Sequence, residues 1–322
     1  MSKAIQVQQV GDPSVLKVVS IDVAPPGAAE VQVRHTAIGI NFIDVYQRSG
    51  VYPLPLPFIT GQEGAGVVTA LGEGVTSFRV GQRVAYAGLP GAYCELRNVK
   101  AERLISLPDE LDDVLAASIM LKGMTAEMLL RRCRPVSPGE TVLIHAAAGG
   151  VGLLATQWAR HLGAKVIGAV GSPHKVPLAA PNCDAVISLA EGPWVEKVKA
   201  LTSGRGVEAV YDSVGKDTFL QSLEALAPRG TLVSFGQSSG KPAPIEVLSL
   251  GGMRSLYLTR PTLHAYVHTR SELEHSAAAL FAVVKAGHVK VKPPQLFPLA
   301  EASEAHRALE GRQTSGSVVL VP

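Results

Sequence analysis

Six residues, Ala147-Ala148-Gly149-Gly150-Val151-Gly152, constrain this chain more than any other stretch of it. They follow a β-rich run, Thr141 to Ala146, and open a segment in which Val151, Ala155, Trp158 and Leu162 share one helical face. Their spacing is GxGxxG with Ala147 at the first position. In that pattern Gly149 lets backbone approach a pyrophosphate with no side chain between, and Gly152 lets helix and strand pack closely. The helix N-terminus, starting at Gly150 and Val151, offers free N–H groups and positive potential to the phosphates. The bland alternative is a plain glycine turn between a strand and a helix, and the surrounding pattern argues against it.

Downstream of this turn, β-like runs at Lys165 to Val170, Ala185 to Leu189, Val207 to Tyr211 and Thr231 to Phe235 alternate with helical segments. One of those segments carries Trp194, Val195, Val198 and Leu201 on a single face. The alternation predicts an α/β fold with a doubly wound parallel sheet covered by helices, the Rossmann arrangement. A further strand is expected at Ser255 to Thr259, then a long helix from Ser271 to about Gly287. The tail alternates strand, helix and strand and ends in Ser317-Val318-Val319-Leu320-Val321, a strand expected to return to the first domain. That first domain is mostly strands and turns: Val31 and Val33 alternate with polar neighbours, and β-rich runs recur at Gly64 to Ala70 and Gly81 to Tyr86. Pro53, Pro55 and Pro57 forbid helix and make an extended, stiff loop. With 322 residues the chain is expected to form two domains. Residues 1–124 and 262–322 are assigned to a β-rich catalytic domain, and residues 125–261 to a dinucleotide-binding domain.

Composition narrows the function from another side. Hydrophobic residues make up 47% and charged residues 18%, so the whole chain is expected to be ordered. Net charge is only +3, and the 30 Lys plus Arg are scattered among 27 acids, which makes nucleic-acid binding a poor explanation. Cys94, Cys133 and Cys183 form no CxxC pair and no even-numbered framework, as expected of reduced thiols in a cytosolic protein. Met1 to Gln9 has one lysine and no apolar run after it, so no signal peptide is expected and the expected location is cytoplasmic. The uncharged stretch Thr141 to Ala159 approaches the length of a membrane span, but its glycines, His145 and Gln157 identify it as strand, turn and helix.

The second strand of the dinucleotide domain tells the cofactors apart. An NAD site carries an acid about 20 residues after the glycine turn to bind the ribose 2′-hydroxyl. No Asp or Glu occurs between Glu140 and Asp184. Instead the strand ends in Gly171-Ser172-Pro173-His174-Lys175, placing a hydroxyl and a cation where a 2′-phosphate would lie. NADPH is expected over NADH, with Lys175 as the phosphate partner.

In the first domain, Gly61-Gln62-Glu63-Gly64-Ala65-Gly66, then Gly72 and Val75, resembles the zinc alcohol dehydrogenase signature GHExxGxxxxxGxxV with glutamine replacing histidine. The other catalytic zinc positions of that superfamily fall at Asn41, in Gly39-Ile40-Asn41-Phe42-Ile43-Asp44, and near Leu121. Zinc takes thiolate and imidazole ligands, and a set of Asn, Gln and Leu supplies neither, so no metal is expected. The whole chain resembles the zinc-free quinone oxidoreductases, the zeta-crystallin branch of the medium-chain dehydrogenase/reductase superfamily. The resemblance is carried by Ala37 to Gly50, Val51-Tyr52-Pro53, Leu121-Lys122-Gly123-Met124-Thr125 and His145 to Gly152, and further by Tyr211 to Gly215, Ser234-Phe235-Gly236 and Ser255 to Pro261.

What the resemblance implies is a GroES-like catalytic domain beside the Rossmann domain, a cleft between them, and transfer of reducing equivalents from NADPH to a quinone. It puts Asn41, Tyr46 and Tyr52 around the nicotinamide and quinone, with Phe42, Ile43, Asp44, Val45 and Tyr46 touching cofactor. It matches Gly149, Gly150, Val151, Gly152, Gly171, Ser172, His174, Lys175, Ser213, Phe235, Gln237, Ser238, Ser239, Gly240 and Arg312 to further NADPH contacts. Leu189 and Met128 stand where the family has aromatic side chains. A homodimer is also implied, with Ser255 to Thr259 as the strand that pairs with its twin.

Other readings compete with these. Tyr46 and Tyr52 could be ordinary core tyrosines, Glu63 is expected to be a buried partner fixing its loop, and His264 with His268 lacks the companions a metal site needs. The nearest rival activity is NADPH-dependent reduction of the C=C bond of an enal or enone. A rival of another class is an NADPH-bound structural or RNA-binding protein, which a basic patch would favour and this sequence lacks.

Overall fold

A mixed α/β chain divides into two compact units in the computed structural model, which describes every residue except Met253 and Arg312. Unit 1 comprises Met1–Lys122, Val267–Ala278 and Val291–Pro322, and unit 2 comprises Gly123–Tyr266 and Ala279–Lys290.

Unit 1 begins with strands β1 (Ser2–Val7), β2 (Leu16–Ile21) and β3 (Glu30–Ile40), then helix α1 (Phe42–Arg48). Strands β4 (Phe58–Ile59), β5 (Glu63–Leu71), β6 (Arg83–Ala87), β7 (Leu96–Lys100) and β8 (Ile105–Ser106) follow, with helix α2 (Asp113–Glu127) after them. The alternation of Val31 and Val33 does start a strand, but β3 runs six residues past Arg34, through His35, where the alternation of apolar with polar residues breaks. His35 is buried at an inward position, and both ring nitrogens have partners: the Cys94 carbonyl at 2.6 Å and the Tyr86 hydroxyl at 2.8 Å. Ile5, Val31, Val33, Ile38, Val84 and Leu104 belong to the core of this unit. The chain's last elements here are β15 (Gln295–Pro298), α9 (Ala302–Glu310) and β16 (Val318–Val321). As the tail pattern predicts, β16 returns to the first-domain sheet, antiparallel to β3 with Val318 opposite Ile40 and Leu320 opposite Ile38.

Unit 2 carries the parallel sheet. Its strands β9 (Thr141–His145), β10 (Lys165–Val170), β11 (Ala185–Ser188), β12 (Val207–Asp212), β13 (Leu226–Ser234) and β14 (Tyr257–Thr259) lie in the order β11-β10-β9-β12-β13-β14. Helices α3 (Gly150–His161), α4 (Val176–Ala179), α5 (Trp194–Leu201) and α6 (Phe219–Glu224) connect them and α7 (Leu263–Tyr266) comes next, whereas α8 (Arg270–Lys285) belongs to unit 1 up to Ala278 and to unit 2 beyond it. Every pairing in this sheet is parallel, which needs the crossover helices that the sequence alternation announced. Two details differ from the sequence pattern. Leu201 closes the apolar stripe of α5 on paper but is about half exposed at the helix end, where only Trp194, Val195 and Val198 reach the core. The strand expected at Ser255 starts two residues later, because Ser255 sits at φ +46° and Leu256 turns inward, donating its N–H to the Leu250 carbonyl at 2.7 Å. Among the described residues no helix is long and apolar enough to cross a membrane.

Candidate active site

In unit 2 the expected cofactor residues gather at one edge of the sheet, the C-terminal ends of its parallel strands. The order reverses at β9, with β10 on one side and β12 on the other, and a crevice at such a switch point is where open α/β sheets bind ligands. Ala147 to Gly152 follow β9, Gly171 to Lys175 follow β10, Ser213 follows β12, and Phe235 to Gly240 follow β13. The glycine turn is tight: Ala146 adopts φ +49°, the Gly149 N–H donates to the Ala146 carbonyl at 2.8 Å, and Gly149 caps α3. A Cβ on Gly152 would overlap that same carbonyl oxygen, so only glycine lets the helix start this close to the strand. The half-buried Gly149, Gly150 and Val151 leave backbone accessible in the first turn, which holds no acidic residue. A diphosphate fits such a turn.

Ser172 and Lys175 are half-buried and Gly171 and His174 exposed, in a short 3₁₀ turn in which the Lys175 N–H donates to the Ser172 carbonyl at 3.1 Å. Ser213 is tied to the next loop by backbone: Ser238 N–H donates to the Ser213 carbonyl at 3.1 Å and Ser239 N–H to that of Val214 at 2.8 Å. Behind them lies a residue that sequence reasoning passed over. The fully buried Asp212 carboxylate accepts from Val214 N–H at 2.7 Å, Gly215 N–H at 3.2 Å, the Thr218 hydroxyl at 2.7 Å and the Ser222 hydroxyl at 3.1 Å. An Asp closing a strand just before Ser-Val-Gly was the available signal. Ser222 also meets Nε2 of His145 at 2.9 Å, and burial holds that imidazole below its ordinary pKa. Arg312, expected as a further NADPH contact, lies outside the described residues.

In unit 1, α1 sorts the expected run by face. Phe42, Ile43 and Tyr46 are half-buried, whereas Asp44 and Val45 turn inward. The rings of Phe42 and Tyr46 lie 6.1 Å apart, and Tyr46 meets Tyr52 edge-on at 5.1 Å. Backbone fixes that second pair, since the Tyr52 N–H donates to the Tyr46 carbonyl at 3.0 Å. Asp44 is fully buried, accepting from Asn41 N–H at 2.9 Å and the Tyr93 hydroxyl at 3.0 Å, so its carboxylate faces the interior. Burial pushes its pKa up to about 7, against the pull of those donors.

The positions that correspond to zinc ligands, Asn41, Gln62 and Leu121, are each engaged with another residue of the chain. Asn41, nearly buried, donates through Nδ2 to Glu63 Oε2 at 2.8 Å. The fully buried Glu63 also accepts from Leu121 N–H at 2.7 Å and from the Lys122 ammonium at 3.3 Å. Glu63 is thus the buried partner the sequence suggested, and its partners across the chain are what the sequence did not reveal. Gln62 donates to Gln47 of α1 at 3.0 Å. A Cβ on Gly39 would overlap both the Ala117 carbonyl and the Glu63 carboxylate, which explains glycine two residues before Asn41. Among the described residues no group of three or more His, Cys, Asp or Glu is placed to hold a metal ion. His264 lies on α7 and His268 follows it.

Comparison with known proteins matches two stretches of the chain to dehydrogenase families. Residues 27–109 match the family model of the alcohol dehydrogenase GroES-like domain, and residues 150–280 match that of the zinc-binding dehydrogenases. A quinone oxidoreductase of Pseudomonas aeruginosa is 48% identical over the full length of both chains. A 2-haloacrylate reductase of a Burkholderia species is 45% identical, covering all of this chain and 99% of its own. Among solved structures, the Escherichia coli quinone oxidoreductase complexed with NADPH superposes with a TM-score of 0.97 at 44% identity, over 99% of this chain and 100% of that one.

Proposed function

This chain belongs to the quinone oxidoreductases of the medium-chain dehydrogenase/reductase superfamily, and on that premise we propose that it reduces quinones at the expense of NADPH without a catalytic metal. The observation that carries the proposal is the enclosure of Glu63 by Asn41, Leu121 N–H and Lys122. Alcohol oxidation has to draw a proton from a hydroxyl about as weakly acidic as water, pKa roughly 16, and a metal supplies the charge for it. Here two neutral amides, Asn41 and Gln62, and the aliphatic Leu121 occupy the corresponding positions, and the nearby Lys122 is already paired with Glu63. A quinone is an electron-poor acceptor and needs only alignment and hydrogen-bond donors for the oxygen on which charge develops.

NADPH supplies the hydride. Its diphosphate would rest on Gly149, Gly150, Val151 and Gly152, its 2′-phosphate on Ser172 and Lys175 with His174 beside them, and its remaining contacts on Gly171, Ser213, Phe235, Gln237, Ser238, Ser239, Gly240 and Arg312. Phe42, Ile43 and Tyr46 serve the reacting end from the open face of α1, with Asp44 and Val45 supporting them from behind. The Tyr46 and Tyr52 rings bound a flat acceptor, and their hydroxyls donate to its oxygen; the Asn41 amide, fixed by Glu63, completes the set.

A second reading has one observation in its favour, the 45% identity to a 2-haloacrylate reductase, and would make the acceptor an activated C=C bond. One measurement separates them: initial rates of NADPH oxidation in EDTA with 1,4-benzoquinone and a 2-alkenal side by side. Faster quinone turnover is expected; faster alkenal turnover would make the chain a double-bond reductase, and EDTA-sensitive turnover would end the metal-free mechanism. We also propose a cytoplasmic homodimer that pairs through β14. What supports the pairing is an edge strand with Tyr257 and Leu258 exposed, preceded in the chain by the exposed Val247 and Leu248.

A further inference from the structure

Helices α1 and α9 each turn a pair of polar residues, spaced i and i+4, toward the same buried seam of unit 1. On α1 the pair is Asp44 and Arg48, and on α9 it is His306 and Glu310. Both α1 residues and His306 are almost wholly buried. The first rung runs through Tyr93, whose hydroxyl donates to Asp44 Oδ2 at 3.0 Å and lies 3.0 Å from His306 Nε2. A hydroxyl has one proton, so the ring must donate from Nε2, and His306 is the neutral Nε2–H tautomer. The second rung is a direct, two-pronged ion pair: Arg48 Nη1 to Glu310 Oε2 at 2.7 Å and Nη2 to Oε1 at 2.8 Å. Among the described residues Asp44 Oδ1, Arg48 Nε and His306 Nδ1 have no hydrogen-bond partner, so the bonds just named carry each rung.

Two rungs one helical turn apart fix more than a distance. A single contact would let α1 pivot, whereas two define its axial position and its rotation against α9. The opposite face of α1 carries Phe42 and Tyr46, and its first residue follows Asn41 directly. Asp44 joins the two faces, because the carboxylate oxygen that takes the Tyr93 proton also takes the Asn41 N–H at 2.9 Å. The α9 end is itself anchored: Ala302 and Ala305 are buried in the unit core, and the Ser303 hydroxyl donates to the Pro13 carbonyl at 2.8 Å.

We propose that the paired rungs Asp44–Tyr93–His306 and Arg48–Glu310 are a positioning device that holds α1, and with it Asn41 and Tyr46, in the alignment hydride transfer requires. This rests on the proposed roles of Asn41 and Tyr46. The five residues touch neither acceptor nor cofactor in this scheme; they act through α1.

Tyr93→Phe removes both bonds of the first rung and keeps the ring, and Glu310→Gln weakens the second at a partly exposed position. In folded variants kcat with 1,4-benzoquinone should fall about tenfold, with the KM for NADPH within about twofold, as expected for misplaced reacting groups. The primary isotope effect on kcat with NADPH deuterated at the transferred position should rise, and amide exchange over residues 41–48 should quicken. A merely structural role would lower the unfolding temperature and leave the isotope effect where it was. Variants that fold, keep their isotope effect and keep slow exchange in α1 would overturn the device. A wild-type chain that oxidises no NADPH with any quinone would overturn the functional reading instead, and exchange in α1 would still report on the rungs.

Discussion

Glu63 shows how a single buried charge can be settled by its neighbours. The Lys122 ammonium and two N–H donors enclose it, and removing one charge of such a pair strands the other in a low-dielectric interior. Glu63→Gln is expected to cost about 3 kcal/mol of stability. Adding Lys122→Met to it should recover part of that loss, since no charge is then left unpaired. Urea midpoints of the two single variants and the double variant test this, and a double variant as unstable as the sum of the singles would contradict it. At the acceptor, Tyr52→Phe keeps the ring against Tyr46 and deletes only the hydroxyl. Turnover with quinone should fall by about tenfold or more, a usual contribution for a positioned donor, while NADPH affinity stays as it was. Unchanged turnover would remove Tyr52 from the catalytic set.

Elements differ in how plainly the sequence announces them, and the glycine turn is the plainest. Gly149 and Gly152 of this turn have different jobs, which predicts two different defects. At Gly152 a Cβ would overlap the Ala146 carbonyl, so Gly152→Ala should lower both the unfolding temperature and NADPH affinity; at Gly149 the nearest oxygen is 3.1 Å from a Cβ, so Gly149→Ala should keep most stability and still lose affinity roughly tenfold, about 1.4 kcal/mol. NADPH fluorescence titration beside thermal melts would show the split, and equal melts would refute it. The edge strand β14 makes a further case. A proline at Leu256 would break its hydrogen bond to Leu250 and disturb a buried side chain, so exposed positions give the cleaner test of pairing. Tyr257→Glu with Leu248→Asp should yield monomers by light scattering, and an intact dimer would rule β14 out as the interface. The parallel sheet was legible because strands and helices differ in apolar period and glycine has a local cause. The surroundings of Asn41 were not: Asn41 and Glu63 stand 22 residues apart, Glu63 and Lys122 59, and Arg48 and Glu310 262. No local pattern encodes such a pairing, nor the distant Cys94 and Tyr86 that accommodate His35 inside β3.

For the molecule as a whole, buried titratable groups set how stability varies with pH, and here they pull in opposite directions. Burial lowers His35 to about 4 and His306 to about 3, against 6.5 for each when free. His35 is held neutral by a directed chain: Arg97 donates to the Tyr86 oxygen at 3.2 Å, Tyr86 to His35 Nε2, and His35 Nδ1 to the Cys94 carbonyl. A proton on Nε2 would face an oxygen that already accepts from a guanidinium. As pH falls below 6.5 the unfolded chain therefore binds protons that the folded one refuses, and stability drops. Asp44 does the reverse. Its folded pKa of about 7 lies above the free value of 3.8, so between those values the folded state holds the extra proton and stability rises on acidification. Near pH 5 each group contributes about one proton, or roughly 1.4 kcal/mol per pH unit, with His35 and His306 together outweighing Asp44. Stability of the wild type should decline from pH 6 to pH 5, and Asp44→Asn, which removes the opposing group, should steepen that decline by about one proton. Because the quantity is a slope, a constant loss of stability in the variant cancels. Urea unfolding at the two pH values measures it; a slope unchanged by Asp44→Asn would mean that Asp44 is already ionised in the fold at pH 5, held there by Tyr93 and the Asn41 N–H in spite of its burial.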